Sequence, residues 1–347
     1  MHIADVDSKW LSARLGIVPD QVTEVVVAPV GTGQIADTYR ASFTVDGAPR
    51  TLILKLTSDD ETSSRVAGQA HRNYVREVGF YRDVAPHLTA NIPRCIYAGI
   101  DADEIEFVIA MDDLAPAEQG DQISGCTVGQ ARAALEQIAR VHAQTHDNAT
   151  VMSLPWLRAG RASLPDRQAW THMFEQYKAR YTEALSEDLL RVGHDFADCV
   201  ENYRKLVNES SPRSLIHSDF RLDNVMIEST GDGDKVTVLD WQTVLAGPPL
   251  LDVGFFIATS FPPEVRRRNE IDLVLAYHTA LVENGVSDYP FEDCWIDYRR
   301  FVAHAFLTSI GASAMVMRTE RGDRMFSVMT QRSLCAMIDF DTLSLLG

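Results

Sequence analysis

His217-Ser218-Asp219-Phe220-Arg221-Leu222-Asp223-Asn224, followed by Val238-Leu239-Asp240-Trp241, is the stretch on which the reading of this chain turns. It lies in a strand-rich island over residues 214–245. If the two apolar runs after Asn224 form a hairpin, Asp219, Asn224 and Asp240 converge on one point. Phosphoryl transfer asks for that convergence: one carboxylate accepts the proton of the attacking hydroxyl, while an amide oxygen and a second carboxylate hold magnesium on the phosphates. Magnesium is hard and takes oxygen ligands, few of them from protein. Asn224 and Asp240 are suitable types, which leaves Asp219 as the base. Asp and Asn are also common turn residues that cap their own backbone, so the motif needs support from elsewhere in the chain.

That support lies upstream. Residues 24–30, 38–45 and 51–57 are short, β-branched runs separated by turn chemistry, which predicts strands. Two more are predicted after Pro93 and over 104–114, and residues 68–85 carry the helical period. Lys55 sits inside an apolar strand, where a charge is costly unless paired or facing a cleft. Glu77 lies within the predicted helix and is a suitable partner. A strand lysine paired with a helix glutamate is how a kinase aims an ammonium at nucleotide phosphates. Gly31 and Gly33 precede it at a strand end, where a close backbone could cover phosphates; an ordinary hairpin turn is the alternative reading. Snorkelling from an edge strand is the alternative for Lys55.

Beyond residue 115 the pattern becomes helical. Helices are predicted near 130–146, 167–185, 195–209, 265–284, 292–317 and 322–340, and 150–166 reads as a loop or lid. A short amphipathic helix is expected over 5–16.

The pattern HxDxxxxN, closed by an Asp after an apolar strand, resembles the catalytic and metal loops of the protein-kinase-like superfamily. HSDFRLDN with LDWQ and GPPLLDVG is similar to the aminoglycoside phosphotransferase and choline kinase branch. Within it, residues 74–86 and 247–260 most resemble ecdysteroid-kinase-like phosphotransferases. The resemblance implies an α+β, bilobal protein-kinase-like fold: a small antiparallel five-stranded N-lobe over residues 1–113 and a mainly helical C-lobe over 114–347. It implies Asp219 as catalytic base, His217 as brace of its loop and Asn224 and Asp240 as magnesium ligands. Asp252 would be structural, and Arg221 would lie near the base without an assigned role. Met111, Asp112 and Leu114 would fall at the inter-lobe hinge, with backbone groups reading the nucleotide base. ATP, with GTP left open, and Mg2+ are the implied cofactors.

Trp241-Gln242 follows the metal aspartate where protein kinases have Phe-Gly, and no activation segment precedes Asp252. The expected acceptor is therefore a small molecule bearing a hydroxyl. An antibiotic-inactivating O-phosphotransferase is the alternative, and a non-catalytic nucleotide-binding module the second, which loss of Asp219, Asn224 or Asp240 would have marked.

The 347 residues carry 32 Lys and Arg against 49 Asp and Glu, a net −17. That balance argues against nucleic acid and anionic membranes as partners, and it is spread along the chain. Five scattered cysteines read as reduced thiols, and with no secretory signal in the first residues a cytoplasmic protein is expected, monomeric or homodimeric. His142 and His146 lack the glutamate of HExxH, so His142 reads as a packing residue. The acidic clusters around Glu183–Asp188 and Asp288–Asp297 read as solvated faces, or alternatively as the lining of a cleft for a cationic substrate.

Overall fold

A computed structural model describes residues 3–30, 36–58, 72–158, 164–231, 233–316 and 318–347. The chain forms two compact units: Met1–Pro116 with Ser153–Arg161 and Leu239–Val244, and Ala117–Met152 with Ala162–Val238 and Leu245–Gly347.

The first unit is built on five antiparallel strands, β1 (Val22–Pro29), β2 (Ala36–Val45), β3 (Ala48–Thr57), β4 (Cys95–Ile100) and β5 (Phe107–Asp112), in the order β1-β2-β3-β5-β4. The alternation of β3 decides its two faces. Leu52, Leu54 and Leu56 bury into a cluster with Ala41, Phe43, Val108 and Ala110. Lys55 points the other way, opposite Thr38 on one neighbour and Ile109 on the other. The Leu face is covered by the helix Ser8–Leu15, through Leu11 and Trp10. That helix starts where Asp7 accepts from the Trp10 amide and stops at Gly16, whose φ of 69° suits glycine.

Asn73–Asp83 is the main helix of this unit. Residues 155–158 are helical rather than part of a loop, and Trp156 is buried with its Nε1 donating to Asp83 at 2.9 Å. Its indole occupies the space over Gly79, where a Cβ would stand 2.6 Å from the ring, so only glycine admits the approach. The lid expected over 150–166 is thus, up to residue 158, docked structure; Ala149–Met152 is a helical turn as well.

The second unit is mainly helical. Thr127 and Gln130 close a capping box that starts Val128–Gln144. Ser186 caps Glu187–Glu209, with Glu187 and Asp188 in its first turn, so this helix begins eight residues before the expected 195. Leu250–Ser260 is a helix that periodicity does not reveal, because every one of its residues is buried and no polar face marks a period. Its Gly254 lets the backbone of Phe301 approach; a Cβ there would meet it at 2.9 Å. Pro263–Glu283, Phe291–Met315 and Glu320–Asp339 follow close to their expected places. The island at 214–245 contains the expected hairpin, Val225–Thr230 paired antiparallel with Gly233–Val238, and Ser214–Ile216 pairs with Leu245–Gly247. Among the described residues no helix is long and apolar enough to cross a membrane.

Candidate active site

In the first unit, the Lys55 ammonium lies 2.8 Å from the Glu77 carboxylate and 2.7 Å from Asp240 Oδ1. The Glu77 side chain is 1% exposed and that of Lys55 13%. Burial works against the charge on Lys55, but the carboxylates of Asp240 and Glu77 outweigh it and raise its pKa. For Glu77, burial is the largest influence and pushes the carboxyl up to about 7 against the pull of Lys55.

Asp240 sits in the left-handed region, φ 60° and ψ 64°, a conformation of local cost that an aspartate tolerates better than most residues. Two neighbours hold it there. Gln242 Nε2 donates to Asp240 Oδ2 at 3.0 Å. Trp241 is fully buried and stacks on Phe80, with centroids 4.1 Å apart and planes at 12°. Phe80 lies one helical turn past Glu77, so one helix fixes both partners of Lys55. Gly31 and Gly33 lie outside the described residues. Met111 is buried near the end of β5, opposite Ile53 on one neighbour and Cys95 on the other. The Asp112 N–H is committed to the Arg94 carbonyl at 3.0 Å, and its carboxylate to the Arg94 guanidinium. Leu114 follows the strand, half-buried.

In the second unit the loop after Ser214–Ile216 is suspended from Asp252. This carboxylate, 0% exposed, accepts from the His217 N–H at 2.6 Å and the Ser218 N–H at 2.8 Å. Ser218 takes φ 66°, which turns the chain so that the Asp219 N–H reaches His217 Nδ1 at 3.3 Å. Asp219 is then gripped at both oxygens. Arg221 Nε donates to Oδ1 at 3.1 Å, and Asn224 Nδ2 to Oδ2 at 2.9 Å and to the main-chain oxygen at 2.8 Å. Asn224 makes these bonds through its nitrogen alone, so its Oδ1 is the end left for a cation.

Arg221 also donates to Asp223 at 2.7 Å, and Asp223 accepts from Arg321 and from the Gln122 N–H at 2.9 Å. Burial opposes the Asp223 charge, but Arg321, Arg221 and Gln122 outweigh it and lower its pKa. For Arg221, burial is likewise overridden by Asp219 and Asp223, which raise its pKa.

Sequence reasoning missed part of this assembly. His142 is not merely packed: Nε2 lies 3.1 Å from Asp252 Oδ2 and Nδ1 2.8 Å from the Tyr277 hydroxyl. Asp252 accepts throughout this network, so Nε2 carries the proton and Tyr277 donates to Nδ1. Gln122, 0% exposed, accepts from the Leu222 N–H at 2.8 Å and donates to the Thr259 carbonyl at 2.9 Å, so it ties the loop to Leu250–Ser260. The acidic stretch at 288–297 does line a cleft, of about 450 Å³ with Asp147, His146 and Arg300, but none of Asp219, Arg221 or Asn224 borders it.

Several solved structures share this fold across nearly the whole chain. A Ralstonia eutropha protein provisionally described as an aminoglycoside phosphotransferase is 14% identical, with a TM-score of 0.56 and 97% of each chain covered. A microcompartment-associated aminopropanol kinase is 14% identical at a TM-score of 0.55, and a choline kinase from Cryptosporidium parvum 12% identical at 0.55. Each pairing covers 97% of this chain and 98% of the other. No curated protein matches the sequence. The ecdysteroid kinase-like family model matches residues 35–286, most of the chain, and the protein belongs to that family.

Proposed function

We propose that the protein transfers the γ-phosphoryl group of ATP, with GTP as the alternative donor, to a hydroxyl of a small-molecule metabolite or xenobiotic. The observation that carries this reading is the Lys55 ammonium held between Glu77 and Asp240, a buried cation aimed and kept charged for phosphate. Asp219 supports it from the other unit as an aspartate fixed at both oxygens. Among the described residues no three His, Cys, Asp or Glu side chains form a ready-made metal cage. Magnesium needs none, since it is held largely by water and phosphate oxygens. The Asn224 Oδ1 and the Asp240 carboxylate are the hard donors that would hold it. When bound, magnesium supplies neutralisation of the phosphate charge.

In this reading the acceptor oxygen forms a bond to the γ-phosphorus as the bond to the leaving diphosphate breaks, and the hydroxyl proton passes to Asp219. Lys55 orients the phosphates. Asp252, through the His217 and Ser218 amides, keeps the loop rigid so that Asp219 needs no reorganisation during the reaction. The membership of the family and the absence of a peptide platform favour a small acceptor.

The test is incubation of the protein with Mg-ATP or Mg-GTP and a panel of aminoglycosides, cholines, sterols and hydroxyacyl thioesters, each followed by mass for a phosphate gained. A product that disappears with Asp219→Ala supports the assignment. No product, together with no nucleotide-induced rise in melting temperature, favours a protein without catalysis.

A further inference from the structure

The first turn of the helix Asn73–Asp83 carries a cation that no described residue neutralises. Arg76 is 4% exposed, and its Nε is buried with no hydrogen-bond partner. No carboxylate, carbonyl or hydroxyl among the described residues accepts from it. Withdrawing a guanidinium from water without a counter-charge is costly, and a chain with 49 acidic residues does not lack carboxylates. The adjacent one, Glu77, is already taken by Lys55 at 2.8 Å.

Two further features gather positive charge at the same end. Arg72, at the N-cap four residues earlier, also has a buried Nε without a partner; among the described residues its guanidinium reaches only the exposed Glu104, at 3.0 Å. Burial first, and the Arg72 charge second, lower the Arg76 pKa. Arg72 occupies the N-cap with φ 56° and its own side chain provides no cap, so the N-cap position adds a cation to the positive end of the helix in place of a capping oxygen. Asn73, 4% exposed, adds an amide three residues before Arg76.

We propose that this turn is a binding site for an oxyanion of the phosphate class, gripped by the Arg76 and Arg72 guanidinia with the Asn73 amide. Arginine forks match the oxygens of such an anion, and the helix end favours its charge. Inorganic phosphate or a phosphorylated metabolite would be one source, the nucleotide's own phosphates the other.

Thermal unfolding of the full chain tests the site. In wild type, inorganic phosphate raises the melting temperature, and the rise persists in Lys55→Met. Arg76→Met abolishes that rise and, because a bare buried charge is gone, lifts the melting temperature of the ligand-free protein by roughly 2–4 °C. A purely structural arginine would give the opposite sign. Arg72→Gln, at a more exposed position, weakens the phosphate response about tenfold in concentration and guards against a misfolded Arg76 variant. If phosphate alone has no effect but the Mg-ATP response shrinks in both variants, the anion is the nucleotide's. Responses to phosphate and Mg-ATP that match wild type in both variants overturn the site.

Discussion

Asn224 gives its one side-chain nitrogen to two oxygens of Asp219, the carboxylate Oδ2 at 2.9 Å and the main-chain carbonyl at 2.8 Å. With Arg221 on Oδ1, the aspartate has one orientation. A carboxylate so restrained acts by placing the acceptor hydroxyl more than by its strength as a base, which suits a loose phosphoryl-transfer transition state.

Asp219→Ala should therefore lower kcat by about 10²–10⁴-fold while Mg-ATP still raises the melting temperature as in wild type. Arg221→Met frees Oδ1 but leaves Asp223 with Arg321 and Gln122. Its expected cost is smaller, roughly tenfold in kcat, with the nucleotide KM unchanged. A kcat equal to wild type in Asp219→Ala, measured on any acceptor the protein uses, would remove Asp219 from the reaction.

Lys55→Met leaves Glu77 buried without its cation, and about 3 kcal/mol or more of stability should be lost. The loss has a pH signature. The folded pKa of Glu77, already above its unfolded value with Lys55 in place, rises further without it, so stability is retained at low pH and drains away as pH rises through the folded pKa. Lys55→Met combined with Glu77→Leu should regain most of the stability without regaining turnover. Urea unfolding between pH 5 and 8 separates the cases; a double variant no more stable than Lys55→Met would show that the pair is not the source of the loss.

What the sequence made legible was what chemistry writes locally. Lys55 stands out because a charge inside an apolar strand needs a reason, and Asp219, Arg221 and Asn224 stand within six residues of one another. The rest of the site is assembled across the chain. Asp252 meets His142 at a separation of 110 residues and His142 meets Tyr277 at 135, and a histidine on a helix shows no sign in sequence of which carboxylate it will reach. Gln122 is anonymous for the same reason. Leu250–Ser260 was hidden by its own burial, since a helix wrapped in core on all sides has no polar stripe to betray its period. The strands and amphipathic helices, half-solvated, advertised theirs.

The link from Tyr277 through His142 to Asp252 predicts an effect on turnover from a residue that touches no substrate. His142→Phe removes one of three donors to the Asp252 carboxylate and strands the Tyr277 hydroxyl, whose pKa burial raises well above its usual value. We expect about 1–3 kcal/mol of stability to be lost and kcat to fall with little change in the nucleotide KM. His142→Gln, which can still donate to Asp252, should recover part of kcat. If both variants lose stability equally and keep wild-type kcat, the link is structural alone.

His304 supplies the acid limb of the stability profile. It lies on Phe291–Met315, 7% exposed, with Nδ1 buried and unpartnered. Burial pushes its imidazole down to about 4, and the Asp252 charge offsets only part of this. The folded pKa is below the unfolded value of 6.5, so the unfolded chain binds the extra proton between the two. The stabilisation is fully present above about pH 6.5 and is lost as pH falls toward 4, amounting to roughly 2 kcal/mol by pH 5. His304→Leu removes this proton uptake and, since Nδ1 has no partner to lose, should be tolerated at pH 7. Urea midpoints at pH 7 and pH 5 provide the comparison: the variant should lose less stability over that interval than wild type, and an equal loss would assign the acid limb to the paired carboxylates instead.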